Sequence, residues 1–142
     1  MKTQQFAIIV VFVWIGFVCS ISFMEAWLKF RAPLVTVPVG LSIGRLIFDA
    51  LNKVEWVFAL AIASSLILNK NKLPMNQLLF FCVPLALLAI QTFFFLPTLK
   101  ARVEIILQGQ QPPPSFVHFY YLAAEVAKVG CLLIFGVRLF GK

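Results

Sequence analysis

The sequence predicts an all-α, polytopic membrane protein built as an antiparallel bundle of four transmembrane helices. Its composition gives the first reason: 62% of the 142 residues are hydrophobic and 12% are charged, whereas soluble domains are about half apolar and about a quarter charged. The second reason is that four apolar stretches approach the roughly 20 residues needed to cross the hydrocarbon core of a bilayer. We expect residues 1–142 to form a single integral membrane domain.

The first two predicted spans cover residues 6–24 and 46–68. The first begins like a signal peptide, but its apolar run continues through residues 21–24 without a pair of small residues for cleavage, so we expect it to be retained. In the second, the purely apolar part from 56 to 68 is too short at about 1.5 Å per residue. That span must therefore include the turns that carry Asp49 and Lys53.

The remaining spans, residues 73–96 and 116–140, are separated by connections of different character. The short link "NKNK" makes the second and third spans antiparallel neighbours, and "QGQQPPPS" cannot continue a helix before the fourth. Between the first two spans, "KFRAPLVTVPVGLSIGR" predicts a break followed by a re-entering or interfacial helix start. Gly40 and Gly44 there have the spacing that allows close helix approach, and plain loop flexibility is the alternative interpretation.

The distribution of charge bears on partners and orientation. A net charge of +7 is explained by Lys and Arg residues near anionic headgroups, and a reader of nucleic acid would need a basic soluble surface that this sequence lacks. All carboxylates fall in the half of the molecule away from the termini. We expect membrane lipids as partners and the cell (inner) membrane as the location, with cytoplasmic termini. A dimer or larger homo-oligomer is expected if the protein is a carrier.

Polar side chains form a stripe along the last predicted helix. His118, Tyr121, Glu125 and Lys128 are spaced by three, four and three residues, so they share one face. Glu125 lies about 15 Å into the span, where an isolated charge costs at least about 2.5 kcal/mol and must face protein or water. Two plainer interpretations stay open: a Glu125–Lys128 pair that only fixes helix packing, and a Lys128 that reaches the far interface.

The other spans repeat this pattern, so each helix can turn a polar stripe towards a common axis. In the second span, Arg45 and Lys53 each lie four residues from Asp49 and can pair with it. The resulting candidate substrate-binding residues are Glu25, Arg45, Asp49, Glu55, Arg102, His118, Tyr121, Glu125 and Lys128.

The sequence limits the chemistry without choosing a reaction. His118 is the single histidine, which excludes a multi-histidine metal site within one chain; a site of His118 with Glu25, Asp49 or Glu125 stays open. We predict no metal and no cofactor, and the catalytic residues, if any, are unknown. Three hypotheses remain: binding or transport of a proton, ion or small polar solute; a membrane-embedded enzyme acting on a lipid or quinone-like substrate; and a non-catalytic subunit or assembly factor.

The order of these features resembles a family of small four-helix integral membrane proteins grouped with transmembrane protein 205. The shared pieces are a first helix that runs into "FRAP", the segment "GRLIFDALNKVE" entering the second span, Arg102 after the third span and His118 at the start of the fourth. The chain departs from that family at Glu125, where its members tend to carry a polar amide. The resemblance implies a fold and a membrane location, and the family's biochemical role is largely undefined.

Overall fold

The structure is a computed structural model that describes residues 2–68 and 73–141, with side chains from residue 4 onward. Over these residues the chain forms four long helices and no strand, which confirms the all-α prediction. Two helices are regular along their whole length: α2, Val37–Leu68, and α4, Val117–Phe140. The predicted "NKNK" link lies outside the described residues.

The other two helices each contain a π-helical segment, in which the backbone hydrogen bonds skip one residue more than in an α-helix. Helix α1 consists of Lys2–Val18, the π-helical segment Cys19–Glu25, the turn Ala26–Leu28 and a final 3-10 turn Lys29–Arg31. Helix α3 consists of Met75–Ile90, the π-helical segment Gln91–Phe95 and Leu96–Leu107.

Three of the four helices are long and apolar enough to cross a membrane: Gln4–Arg31, Val37–Leu68 and Met75–Leu107. They are longer than the predicted spans. Helix α2 begins at Val37 because Pro38 occupies its first turn, where the missing N–H is not needed. Helix α3 continues past Pro97 to Leu107, and Pro97 stands at the start of its last α-helical part, Leu96–Leu107.

Each helix packs against two others. Helix α1 packs against α2 and α4, while α3 packs against α4 through Met75–Ile90 and against α2 through Leu96–Leu107. The buried apolar side chains between them include Val11, Trp14, Ile62, Leu88 and Phe135. Large apolar side chains also cover the outer surface, such as Ile9, Leu60, Ile67, Phe94 and Val137. An outer surface of this kind is compatible with helices that face hydrocarbon.

Glycines hold the two connected ends of α1 and α2 close together. A Cβ added at Gly40 would lie 2.2 Å from a ring carbon of Phe30, and one added at Gly44 would lie 2.8 Å from Lys29 Nζ. The close-approach interpretation of the Gly40 and Gly44 spacing is therefore confirmed, and both glycines lie within α2 rather than in a loop.

Replacing Gly136 by valine is expected to destabilise the contact between α1 and α4. A Cβ at Gly136 would already lie 3.0 to 3.1 Å from Phe12 and Val11, whereas a Cβ at Gly130 on the same helix meets nothing within 4 Å. Overpacking of this kind costs about 1 to 3 kcal/mol. Thermal unfolding in detergent should show a lower midpoint for Gly136→Val than for the control Gly130→Val, and equal midpoints would contradict the described packing.

Candidate functional site

The interior holds a set of polar side chains that we call the buried charge cluster: Trp14, Glu55, Gln91, Glu125 and Lys128. All five side chains are fully buried, and they come from all four helices, with Glu125 and Lys128 both on α4. Charged side chains are almost never fully buried unless they are paired. The cluster is therefore the least ordinary feature of the interior.

Lys128 is the centre of the cluster. Its Nζ lies 2.5 Å from Glu55 Oε1 and donates hydrogen bonds to Gln91 Oε1 at 2.6 Å and to Glu125 Oε1 at 3.2 Å. A lysine ammonium has three N–H donors, so each donor has an acceptor, and the three acceptors belong to α2, α3 and α4. The interpretation in which Lys128 reaches towards the far interface is wrong, because its ammonium is bound here.

The two carboxylates are used unevenly. Glu55 Oε1 accepts a second hydrogen bond from Trp14 Nε1 at 2.8 Å, and Glu125 Oε1 accepts a second one from Gln91 Nε2, also at 2.8 Å. The other oxygens, Glu55 Oε2 and Glu125 Oε2, are buried and have no hydrogen-bond partner. Burying a polar atom without a partner costs about 1 to 3 kcal/mol, and more for a charged group.

The formal charges of the cluster do not balance when every group is ionised. Two carboxylates and one ammonium leave an excess negative charge at a place that is closed to solvent. Removing a charge from water without a partner carries a penalty of several kcal/mol. A single proton on either carboxyl group would make the cluster neutral and would turn an unpartnered oxygen into an O–H donor.

The π-helical segment of α3 begins at Gln91, the residue that this helix contributes to the cluster. Gln91 bonds towards α4, while its neighbour Thr92 bonds towards α2, where Thr92 Oγ1 accepts hydrogen bonds from Asn52 Nδ2 at 2.9 Å and Trp56 Nε1 at 3.0 Å. Adjacent residues of a regular helix diverge by about 100°. Both residues stand at the start of the π-helical segment, and their side chains bond to two different neighbouring helices.

Two cavities of about 220 Å³ each lie on the side of the cluster away from the termini. Both are lined by Ala26, Phe48, His118 and Tyr121. Tyr121 is buried, its hydroxyl has no hydrogen-bond partner, and it lies one helical turn before Glu125. Its backbone carbonyl is 3.5 Å from Gln91 Nε2. Tyr121 thus lies between the cavities and the buried charge cluster.

The predicted site residues fall into three places. Glu55, Glu125 and Lys128 come together in the cluster, and Arg45, His118 and Tyr121 come together around the cavity that Lys29 and Lys100 also line. Glu25 and Asp49 line neither cavity, and each binds a lysine at the edge. Arg102 also lies outside both cavities. Its Nη1 donates a hydrogen bond to Pro113 O at 2.6 Å, which fixes the proline-rich connection to α3.

Of the two pairings expected for Asp49, one is confirmed and one is wrong. Asp49 Oδ2 lies 2.8 Å from Lys53 Nζ, as the spacing of four predicts. Arg45 instead bonds to Glu104 Oε2 at 2.8 Å. The reason is that α3 continues as a helix beyond Leu96 and brings Glu104 and Lys100 alongside α2, where Lys100 takes the second oxygen of Asp49.

Several residues of the site are absent from the candidate set taken from the sequence. Gln91 and Trp14 belong to the cluster, and Lys29, Phe48 and Lys100 line a cavity. Gln91 had a signal, since Gln91 and Thr92 are the only polar side chains apart from Cys82 between residues 78 and 96. Among the residues whose side chains are described, no group of three or more His, Cys, Asp or Glu is placed to hold a metal ion.

Comparison of the chain with family models, curated proteins and solved structures gave no match. The functional argument therefore rests on the geometry and charges of the site. These define a helical protein with three helices long and apolar enough to cross a membrane, and with a charge cluster enclosed among its helices.

Proposed function

We propose that the protein crosses the membrane four times as an antiparallel bundle and binds one exchangeable proton at the buried charge cluster, as a carrier does. Membrane insertion of α4 is supported by where its charges lie. Glu125 and Lys128 are fully buried, while the exposed residues of the same helix include Phe119, Val126, Leu133, Ile134 and Val137. The cost of a charge in lipid therefore does not oppose insertion once the helices have packed.

The observation that carries the proton assignment is the ratio of two carboxylates to one ammonium. Glu55 and Glu125 share Lys128, and each keeps one buried oxygen without a partner. With one proton between the two carboxyl groups, the cluster is neutral. Buried carboxyl and lysine residues inside membranes commonly mark proton or ion pathways, which supports a role beyond holding the helices together.

The cavities supply a route for that proton from one side. Tyr121 lines both cavities, is followed by Glu125 one turn later, and has a free hydroxyl that can pass a proton onward. On the opposite side of the cluster the interior is filled by Val11, Ile62, Leu132 and Phe135, all fully buried. Proton exchange should therefore occur on the side of the cavities. With cytoplasmic termini, that side faces away from the cytoplasm.

The two alternative functions receive less support from the geometry. The enzyme hypothesis uses His118 and Glu125 as acid and base, but among the described residues no hydrogen bond joins them, and Glu125 is held by Gln91 and Lys128. The assembly-factor hypothesis expects polar stripes that pair with each other, as Lys128 does with Glu55 and Glu125, but it gives no role to the second carboxylate that shares one ammonium. We also propose that the protein forms a homo-oligomer in the cell (inner) membrane, with membrane lipids as partners. Its relationship to the proteins grouped with transmembrane protein 205 is likewise part of the proposal.

Infrared spectroscopy of the purified protein in lipid nanodiscs tests the proton assignment. A protonated carboxylic acid absorbs separately from a carboxylate, so the wild-type protein should show one protonated carboxyl group at neutral pH that shifts on exchange into D₂O. Glu55→Gln and Glu125→Gln should each remove this band, because a single remaining carboxylate is balanced by Lys128. Tyr121→Phe should keep the band and slow its exchange.

Asp49→Asn is the matched control for these variants. It removes a carboxylate from α2 that is partly exposed and already held by Lys53 and Lys100, so the band should persist. A wild-type protein without the band, or a band that survives in both glutamine variants, would overturn the proposal. A purely structural cluster would give no exchange with D₂O while the protein remains folded.

A further inference from the structure

The cavity that we call the basic cavity has an unusual combination of lining residues. Four basic side chains line it, Lys29, Arg45, Lys100 and His118, and no carboxylate does among the residues that the structure describes. The rest of the wall is mostly apolar and includes Phe48, Leu96, Leu99 and Val103. A ligand inside would therefore meet positive charge at one part of the wall and hydrocarbon at another.

The carboxylates that hold these cations lie behind them, outside the lining. Glu25 Oε2 is 3.3 Å from Lys29 Nζ, and Glu104 Oε2 is 2.8 Å from Arg45 Nη1. Asp49 binds Lys100 but also binds Lys53, so one carboxylate serves two lysines. Three carboxylates thus fix the three cations of the wall, and Asp49 is shared with Lys53 outside the lining, so Lys100 is only partly neutralised.

Lys29 is held in place with hydrogen-bonding capacity left over. Its Nζ lies 5.5 Å from the ring centroid of Phe30 and 5.7 Å from that of Phe48, and it lies over Gly44, where a Cβ would come within 2.8 Å. Its one carboxylate partner, Glu25, is at 3.3 Å. An ammonium has three donors, so Lys29 can donate to a further acceptor inside the cavity.

We propose that the basic cavity binds the anionic group, a phosphate or carboxylate, of an amphiphile whose apolar part lies on Phe48 and its neighbours. A volume of about 220 Å³ is below the roughly 300 to 1,000 Å³ of sites that enclose a drug-sized ligand. The cavity therefore takes a headgroup and a short apolar segment, and the rest of the molecule extends out of it. This inference does not depend on the proton at the buried charge cluster.

Binding to the full-length protein in nanodiscs of zwitterionic lipid tests this proposal. The probes are octyl phosphate, a soluble source of the anionic group, and dihexanoylphosphatidylglycerol, a lipid source, with octanol as the uncharged probe. Calorimetric titration should detect at least one anionic probe and no comparable binding of octanol. Binding of octyl phosphate would indicate that the natural ligand is a soluble amphiphile. Binding of the phosphatidylglycerol alone would indicate that it is a membrane lipid.

The variants separate a built site from general surface charge. Lys29→Gln and Lys100→Gln should each weaken anion binding about tenfold, the effect of losing one charge-assisted hydrogen bond. Gly44→Ala should weaken it as well, because it displaces the Lys29 ammonium while keeping the charge. Lys53→Gln is the matched control: this lysine is also bound to Asp49, but it is 76% exposed and does not line the cavity.

Some results would overturn the inference. Equal affinity for octanol and octyl phosphate would show an apolar pocket only, and equal losses in Lys29→Gln and Lys53→Gln would show nonspecific attraction to a basic surface. The midpoint of thermal unfolding, measured for each variant, distinguishes a loss of binding from a loss of folded protein. Glu125→Gln should retain anion binding even though it loses the infrared band, so this proposal and the proton assignment can fail separately.

Discussion

Lys128→Met is expected to lower the free energy of unfolding by about 3 to 5 kcal/mol, the range found when one partner of a buried ion pair is removed. The substitution leaves Glu55 and Glu125 facing each other in a closed interior, with Gln91 Oε1 also deprived of its donor. Methionine is unbranched like lysine and only one non-hydrogen atom shorter, so the lost packing is small. Chemical or thermal unfolding in detergent would measure the loss of stability. In cells, the same loss would lower the yield of folded protein.

A compensated variant distinguishes charge from packing. Replacing Glu55 and Glu125 by glutamine in the Lys128→Met background removes every charge from the cluster, and should recover most of the lost stability. Lys53→Met serves as the control, because Lys53 is exposed and its pairing with Asp49 is worth little. Wild-type stability in Lys128→Met, or no recovery in the compensated variant, would show that the charges of the cluster do not decide its stability.

The helices and their polar faces could be predicted because both follow from residue spacing along the chain. The spacing of His118, Tyr121, Glu125 and Lys128 predicted one face of α4, and the structure turns Tyr121, Glu125 and Lys128 into the interior. Long apolar runs likewise predicted the helices. Their ends were less predictable, because Pro38 looks like a break but stands in the first turn of α2, and α3 continues past Pro97 to Leu107.

Which residues form the site could not be predicted in the same way. Residues on the same face of a helix can lie at different positions along its axis. Asp49 and Glu55 lie on one face of α2, yet six residues separate them by about 9 Å along the axis. Glu55 therefore reaches Lys128 in the cluster, whereas Asp49 reaches Lys100 at the edge. Which residues meet depends on the relative heights of the helices, and spacing within one chain segment carries no information on that.

The backbone adds a second limit. A prediction from sequence places residues at 100° intervals, as in a regular α-helix. The π-helical segment Gln91–Phe95 changes that interval, and Gln91 becomes the link between Lys128 and Glu125. Such segments often accompany functional sites, and this one has no marker in the sequence beyond the two polar residues themselves.

The double variant Glu55→Gln with Glu125→Gln is expected to be far less stable than either single variant. Each single change leaves one carboxylate with Lys128, so the cluster stays neutral without a bound proton, and we expect a stability within about 1 kcal/mol of wild type. The double change leaves the buried ammonium with amide acceptors only. The loss should then approach the about 3 to 5 kcal/mol of an unpaired buried charge.

This pattern tests the charge count directly, because independent contributions from Glu55 and Glu125 would add. Nearly neutral single variants with a large loss in the double variant mean that either carboxylate can serve Lys128, which is the coupling expected of groups that share one partner. Large losses in both single variants would instead mean that both carboxylates are ionised and required. In that case the cluster holds no proton, and the excess negative charge would need a cation from outside the chain.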